Sequence, residues 1–163
     1  MYFTGEWYAD NYIMTDILDQ IEYYSGTERK LMLKVPKGAG SMLFGTTWRG
    51  YLSPTRMRTK DEETGLYRTK VYDDHPYLKD IFKEFSKLYF ADFEYSQVQM
   101  NKNFPCPPHK DKKNQGISYL CCFGDFTGGD TCIEYDDRIE KVSSKECPIS
   151  FNGSKYTHYV ETY

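Results

Sequence analysis

ISYLCCFGDFTGGDTCIEY, residues 117–135, is the segment on which the fold prediction rests. Its two ends, ISYLCCF and DTCIEY, are short runs rich in β-branched and aromatic residues, and the turn-rich DFTGGD joins them, which is typical of two successive strands. Similar runs lie on both sides, namely EYSQVQMN (94–101), PISF (148–151) and THYVETY (157–163). We therefore predict that the chain from Phe93 onward is a series of short strands.

The first part of the chain has a different pattern, because its apolar residues recur with helical spacing. A helix is predicted over 10–24 and a second over 76–90, with Pro76 at its first position. The apolar stripe of the first helix consists of Ile13, Met14, Ile17, Leu18 and Ile21. That of the second consists of Leu78, Ile81, Phe82, Phe85 and Leu88.

The order of the elements, with helices first and a run of strands after them, predicts an α+β fold. We expect a double-stranded β-helix (jelly roll) with N-terminal helices packed on one sheet. One domain is expected over 1–163, in which a helical and mixed region, 1–92, supports a jelly-roll core, 93–163. The segments between the helices are predicted as two strands and an irregular polar stretch, at 31–35, 42–52 and 53–75.

The composition is that of a soluble globular protein, with 163 residues of which 39% are hydrophobic and 28% charged. No apolar run is long enough to span a membrane, and residues 1–12 lack the basic and apolar regions of a secretory signal. We therefore expect an intracellular protein that is neither secreted nor bound to a membrane. The five cysteines contain no CxxC pair, which argues against structural zinc and favours free, buried thiols.

The net charge of −3 neither indicates nor excludes nucleic-acid binding, because a local basic patch decides such binding. Between Arg49 and Lys70, six basic residues outnumber three acids. We interpret this stretch either as a solvated loop or as a surface that contacts backbone phosphates.

The candidate chemistry lies in the strand-rich half. His109 and Asp111 are two residues apart, which puts both side chains on one face of an extended segment. His158 follows 47 residues after Asp111, in a predicted strand. Two imidazoles and one carboxylate form the facial triad of non-haem Fe(II) oxygenases, which leaves positions open for a co-substrate and O₂. Alternatively, His109 is a loop residue and His158 a strand residue, or the same ligands hold zinc or manganese in a cupin-like site.

From Val98 to Glu161 the chain resembles the catalytic core of the Fe(II)/2-oxoglutarate-dependent dioxygenases. The resembling pieces are VQMNKN, PHKDKKN, ISYLCCFGDFTGGDTCIEY and FNGSKYTHYVE. HKDKKN is most similar to the HxDxxN motif of the TET and J-binding-protein family and related viral proteins. That family oxidises the 5-methyl group of a pyrimidine flipped out of nucleic acid. The resemblance implies Fe(II), 2-oxoglutarate as co-substrate, ascorbate as an accessory cofactor and a nucleic-acid partner.

The resemblance also implies roles for individual residues. His109, Asp111 and His158 match the iron ligands and are the expected catalytic centre. Asn114 matches the asparagine that hydrogen-bonds the flipped base, a task suited to an amide because it both donates and accepts; on local grounds it is equally a turn residue. Two further residues are candidates for binding the co-substrate or for packing the core, namely Asn101 and Tyr119.

One feature of the family pattern is missing. Family members carry, about ten residues after the distal histidine, an arginine on a final strand that pairs with the 5-carboxylate of 2-oxoglutarate. This sequence stops at Tyr163, so we expect either a truncated chain without its last strand, another basic residue in that role, or loss of co-substrate binding. Two alternative functions therefore remain: a prolyl or other protein hydroxylase of the same superfamily, and a non-catalytic jelly-roll binding module.

Overall fold

The computed structural model of this chain describes residues 1–23, 39–53, 56–91, 93–104, 106–112 and 114–161. Contacts within the chain define two compact units. Residues 3–21 and 105–163 form one, which we call the β6–β10 unit after its strands β6 (Ser118–Leu120) to β10 (Thr157–Val160). Residues 22–104 form the other, the β1–β5 unit, named after its strands β1 (Gly40–Thr47) to β5 (Gln97–Lys102). Helices and antiparallel strands occur together, so the predicted α+β class is correct.

In the β1–β5 unit, an antiparallel sheet has β1 (Gly40–Thr47) between β4 (Tyr67–Arg68) and β5 (Gln97–Lys102). The hairpin of β2 (Tyr51–Ser53) and β3 (Arg56–Met57) follows β1. Phe44 on β1 stacks on Tyr72 with ring centroids 4.8 Å apart and meets Phe82 edge-on at 5.3 Å. These aromatic contacts attach the helices of the unit to its sheet.

Gly45 allows β1 and the chain before β5 to approach closely. It has a φ of +138°, and a Cβ atom there would lie 2.3 Å from the Ser96 carbonyl oxygen. Any other residue would push the two segments apart.

The helices of this unit differ from their predicted bounds. The stretch 53–75 is not irregular, because it contains β3, β4 and helix α2 (Lys70–Asp74). Thr69 caps α2 by accepting a hydrogen bond from the Tyr72 amide. Helix α3 spans Leu78–Tyr89, so Pro76 lies in the turn before it and not at its first position. Leu88, predicted on the buried face of α3, is 45% exposed.

In the β6–β10 unit, helix α1 spans Trp7–Asp19 and begins earlier than the apolar pattern predicts. Polar caps explain this start. The Glu6 carboxylate accepts hydrogen bonds from the amides of Tyr8 and Ala9, and the buried Asp10 carboxylate accepts bonds from Thr4 and Gly5. The helix ends before Ile21, which is nevertheless buried.

The strands of this unit form two small antiparallel sheets. In the first, β6 (Ser118–Leu120) pairs with β9 (Ile149–Phe151). In the second, β7 (Thr131–Glu134) lies between β8 (Ile139–Val142) and β10 (Thr157–Val160). The predicted strands at 117–123, 130–135, 148–151 and 157–163 correspond to β6, β7, β9 and β10.

Three strands remain to be compared with the predictions, namely those at 94–101, 139–142 and 31–35. The strand predicted at 94–101 forms β5, and its partner is β1 of the β1–β5 unit. Strand β8 was not predicted, because its short sequence IEKV has two adjacent charged residues between its apolar ends. The strand predicted at 31–35 lies outside the described residues.

Among the described helices, none has the length and apolar character to cross a membrane.

All five cysteines are free, as expected, but only Cys132 is buried. Cys147 is exposed, and the remaining three are half-buried. Burial raises the pKa of the Cys132 thiol, which keeps that group protonated near neutral pH.

Candidate metal centre

Three side chains of the β6–β10 unit converge on one point. The potential ligand atoms of His109, Asp111 and His158 all lie within 4.8 Å of one another. His109 Nε2 is 3.5 Å from Asp111 Oδ1, and His158 Nε2 is 3.3 Å from Asp111 Oδ2. The centroids of the two imidazole rings are 4.3 Å apart. The residues selected from the sequence as metal ligands are therefore neighbours in the folded chain.

Backbone hydrogen bonds hold the HxD segment beside β10. The His109 amide donates to the His158 carbonyl at 3.1 Å, and the His158 amide donates back to the His109 carbonyl at 3.0 Å. The Val160 amide donates to the Cys106 carbonyl on one side of this pair, and the Asp111 amide donates to the Gly153 carbonyl on the other. The segment thus follows β10 as an irregular strand, which sets His109 directly across from His158.

A backbone carbonyl orients each imidazole ring. His109 Nδ1 lies 2.6 Å from the Pro107 carbonyl oxygen, and His158 Nδ1 lies 3.0 Å from the Tyr156 carbonyl oxygen. Because a carbonyl only accepts, each Nδ1 carries the proton of its hydrogen bond. Both Nε2 atoms are then left with a lone pair directed at the Asp111 carboxylate, which is the arrangement that metal-binding histidines use.

The residues present fit a divalent metal ion. Ligand atoms 2.0–2.2 Å from one ion are roughly 2.8–3.6 Å apart for octahedral or tetrahedral angles, a range that includes the 3.3 and 3.5 Å measured between each Nε2 and Asp111. A divalent ion between the two Nε2 atoms and the carboxylate would accept both nitrogen lone pairs and be balanced in part by the negative charge of Asp111.

The electrostatics of the cluster favour an ionised carboxylate. Hydrogen bonds from the side chains of His109 and His158 hold the pKa of Asp111 well below its ordinary value, although burial acts in the opposite direction. The exposed fraction of the side chain is 38% for His109, 35% for Asp111 and 9% for His158. One side of the cluster is therefore buried protein and the other is open to a ligand from solution.

Two residues that the sequence analysis did not select pack against the cluster. A Cβ atom on Gly153 would lie 2.8 Å from Asp111 Oδ2 and 3.4 Å from His158 Cε1, so only glycine leaves room for the carboxylate here. The Phe151 ring meets the His158 ring edge-on at 4.8 Å. The signal for Gly153 was present in the sequence, since it is the glycine of FNG just before the distal histidine.

Asn114, the candidate base-reading residue, lies at the exposed end of the turn that leaves Asp111. Its amide N–H donates to the Asp111 carbonyl at 3.0 Å, which closes the turn. Its side-chain Nδ2 lies 3.5 Å from Ser118 Oγ, and Ser118 Oγ in turn lies 3.3 Å from the Cβ position of Gly153. The turn predicted on local grounds is therefore present, and the side chain is exposed near the residues around the carboxylate.

Of the two residues proposed to bind the co-substrate, Tyr119 belongs to the unit that holds the cluster and Asn101 belongs to the other unit. Tyr119 on β6 pairs with Ser150, whereas its neighbour Ser118 pairs with Phe151, the residue that contacts His158. Alternation along a strand therefore puts Tyr119 on the opposite face of this sheet from Ser118. Asn101 belongs to the β1–β5 unit, where its Oδ1 accepts a hydrogen bond from Ser41 Oγ at 2.7 Å.

The basic stretch from Arg49 to Lys70 is only partly available to a partner. Arg68 is paired with the buried Asp61 at 3.1 Å, and Lys70 is paired with Asp74. Arg49 and Lys60 are exposed. Among the described residues of this stretch, Arg49 and Lys60 are exposed cations, whereas Arg68 and Lys70 are held in ion pairs. The interpretation as a solvated loop therefore fits only part of the stretch.

No known family model, no curated protein and no solved structure matches this chain.

Proposed function

We propose that this chain is a non-haem Fe(II), 2-oxoglutarate-dependent dioxygenase that hydroxylates a C–H bond. The observation that carries the proposal is the convergence of two imidazole Nε2 atoms on one carboxylate, with each Nδ1 held by a backbone carbonyl. Two neutral nitrogens and one anion on one side of a metal leave the other positions open. That is the donor set expected of an oxygenase and not of a closed structural site.

Each residue of the cluster has a separate task in this proposal. His109 and His158 supply neutral nitrogens whose orientation the Pro107 and Tyr156 carbonyls maintain. Asp111 supplies the only negative charge of the three, and its low pKa keeps it ionised at any physiological pH. Phe151 and the buried side of His158 exclude water from one side of the site. When bound there, Fe(II) with 2-oxoglutarate and O₂ supplies C–H hydroxylation with release of succinate and CO₂.

A jelly-roll architecture is the finer fold proposal. Its support is the distribution of the strands of the β6–β10 unit between two antiparallel sheets, with β6 and β9 in one and β7, β8 and β10 in the other. This alternation between sheets is what a double-stranded β-helix requires.

The proposed substrate is the 5-methyl group of a pyrimidine in DNA. Its support is local: Asn114 is exposed beside Asp111, and the exposed Lys110 and Lys112 flank the carboxylate in sequence. Exposed lysines suit contacts to phosphates, and an exposed amide suits the polar edge of an extruded base. In the β1–β5 unit, the largely exposed Trp48 next to the exposed Arg49 is a second surface suited to stacking on bases and pairing with phosphate.

Turnover assays with Fe(II) and 2-oxoglutarate test the proposal. We expect succinate release that depends on Fe(II), and oxidation of a 5-methylpyrimidine oligonucleotide in preference to a proline-rich peptide. Asn114→Ala is expected to bind Fe(II) as the native chain does, to continue uncoupled succinate release, and to lose most oligonucleotide oxidation.

Three other outcomes would revise the proposal differently. Turnover of the peptide alone would identify a protein hydroxylase and remove the nucleobase assignment. Tight metal binding without any succinate would leave a non-catalytic binding module. An Asp111→Ala variant that still bound Fe(II) as tightly as the native chain would remove the metal centre itself.

A further inference from the structure

The turn that joins β9 to β10, residues 152–156, contacts the metal cluster at both of its ends. At the first end, the Gly153 carbonyl accepts a hydrogen bond from the Asp111 amide at 2.8 Å, and the missing Cβ of Gly153 leaves room for the Asp111 carboxylate. At the second end, the Tyr156 carbonyl oxygen lies 3.0 Å from His158 Nδ1. The positions of two of the three candidate ligands therefore depend on the shape of this turn.

Asn152 closes the turn with both of its oxygen atoms. Its carbonyl oxygen accepts hydrogen bonds from the Lys155 amide at 3.2 Å and the Tyr156 amide at 3.1 Å. Its side-chain Oδ1 accepts a hydrogen bond from the Ser154 hydroxyl at 2.8 Å and a second one from the Lys155 amide at 3.1 Å. Because Ser154 and Lys155 lie between the two carbonyls that face the cluster, Oδ1 fixes the peptide groups that set the directions of those carbonyls.

A separate contact holds the Tyr156 side chain. Its ring meets the Tyr135 ring edge-on, with centroids 4.7 Å apart, and the Arg138 guanidinium lies 4.7 Å from the centroid of the Tyr135 ring. These contacts attach the turn to the β7–β8 hairpin through side chains and leave the direction of the Tyr156 carbonyl to the backbone. Removal of the Asn152 side chain therefore leaves the turn attached, while it releases the bonds that orient this carbonyl.

The direction of the Tyr156 carbonyl decides which nitrogen of His158 carries the proton. A neutral imidazole has one N–H, and His158 has an acceptor beside each nitrogen, namely the carbonyl at Nδ1 and Asp111 Oδ2 at 3.3 Å from Nε2. With the proton on Nδ1, the lone pair of Nε2 is available to a metal. With the proton on Nε2, that nitrogen donates to Asp111, and a metal has to displace the proton first.

We propose that Asn152 is a positioning residue of the metal centre. Its Oδ1 holds the turn so that the Tyr156 carbonyl accepts the Nδ1–H of His158, which keeps Nε2 as a ligand. This role rests on the proposed function, because it needs a metal at the cluster. It concerns one ring only, since the carbonyl that holds His109 Nδ1 belongs to Pro107, outside the turn.

The first test reads the tautomer of His158 in the metal-free protein at alkaline pH, where the imidazoles are neutral. Long-range proton–nitrogen NMR spectra distinguish protonated from unprotonated ring nitrogens, and His75→Gln removes the one histidine outside the cluster. The native chain is expected to carry the proton on Nδ1 of both remaining rings. In Asn152→Ala we expect His158 to shift toward the Nε2–H form while His109 keeps its native form. Asn152→Asp keeps the side-chain oxygen and should retain the native spectrum.

The second test measures Mn(II) affinity by titration calorimetry. Asn152→Ala should bind Mn(II) about tenfold more weakly than the native chain, and Asn152→Asp should bind it as the native chain does. Ser154→Ala removes one of the two hydrogen bonds to Oδ1 and should show a smaller loss. Thr64→Val is the matched control, because it removes a hydroxyl that donates to Asp61 Oδ2 at 2.8 Å in a similar turn of the β1–β5 unit.

The outcomes separate this role from the proposed function. Native Mn(II) affinity and a native His158 tautomer in Asn152→Ala would overturn the role of Asn152 and leave the dioxygenase proposal intact. A loss of affinity without a change of tautomer would also overturn it, because Asn152 would then act through stability alone. Equal losses of affinity in Thr64→Val and Ser154→Ala would do the same. A native chain that bound no Mn(II) would overturn both proposals.

Discussion

Asp61 in the β1–β5 unit and Asp111 in the β6–β10 unit both have a pKa below the ordinary value, but different groups hold it there. Burial raises the pKa of Asp61, and hydrogen bonds from Thr64 and Arg68 outweigh it. The Asp61 oxygens accept from the Thr64 amide, the Thr64 hydroxyl and the Arg68 guanidinium. Protein donors therefore satisfy this carboxylate completely.

Asp111 faces two imidazoles that become donors only if they take up protons. Its oxygens lie 3.5 and 3.3 Å from Nε2 atoms whose rings already donate through Nδ1. Asp61 has a permanent cation of the chain itself in Arg68, whereas in the function that we propose Asp111 takes its cation from solution.

The largest change that we predict is a loss of metal affinity when Asp111 is replaced, with no loss when Asp61 is replaced. Asp111→Asn removes the only anionic ligand and should weaken Fe(II) or Mn(II) binding by roughly 1,000-fold, because neutral ligands alone hold such ions poorly. Asp61→Asn is the matched control, with the same chemical change at a carboxylate that already has its partners, and should leave the affinity unchanged. Calorimetric titration of metal into each variant measures this. Similar losses in both variants would remove the distinction.

The free energy of unfolding should respond in the opposite way, with the larger loss at Asp61 and the smaller loss at Asp111. Asp61→Asn removes the buried charge that pairs with Arg68, and we expect a loss of about 2–3 kcal/mol in the free energy of unfolding. Asp111→Asn should cost less in the metal-free protein, since the Asp111 side chain is 35% exposed. Urea denaturation of both variants gives the values. A larger loss at Asp111 than at Asp61 would contradict this assignment.

A smaller loss of metal affinity is predicted when the space beside the Asp111 carboxylate is filled. Gly153→Ala puts a Cβ 2.8 Å from Asp111 Oδ2, so the carboxylate has to shift, and metal affinity should fall about tenfold. Gly116→Ala is the control: Gly116 has a φ of +76° and open space around it, so alanine there introduces backbone strain without touching the cluster. We expect Gly116→Ala to lose stability and keep its metal affinity. The reverse result would show that the contact at Gly153 is unimportant.

The smallest predicted effect is the change with pH in the contribution of Asp61 to stability. The pKa of Asp61 is lower in the folded chain than its ordinary value of 3.8, so the stability it contributes is fully present above that pH and declines as the pH falls below it. The difference in unfolding free energy between the native chain and Asp61→Asn should therefore be constant from pH 5 to 7 and shrink toward pH 3. Chemical denaturation at several pH values measures it. A difference that grew on acidification would mean that the pKa is shifted upward.

The sequence predicted the elements whose signals are local. The apolar periodicity of residues 76–90 identified helix α3, and the β-rich runs around Val98, Tyr119, Ile133, Ile149 and Tyr159 identified five strands, because side-chain spacing reports secondary structure directly. It misplaced the start of α1, because the polar caps Glu6 and Asp10 decide it and apolar spacing does not. It also put the start of α3 at Pro76, whereas that helix begins at Leu78 without a side-chain cap. It missed β8, whose charged residues are tolerated in a short strand exposed on one face.

The sequence also identified the candidate metal ligands, since His109 and Asp111 are two apart and only three histidines are present in the chain. Tertiary structure decided the rest, because the pairing of His109 with His158 joins segments distant in sequence. The carbonyls that fix each ring and the glycine that leaves room for Asp111 have meaning only through that pairing. Spacing along a chain gives the identity of ligands, whereas their distances, tautomers and neighbours depend on contacts between strands that no local pattern specifies.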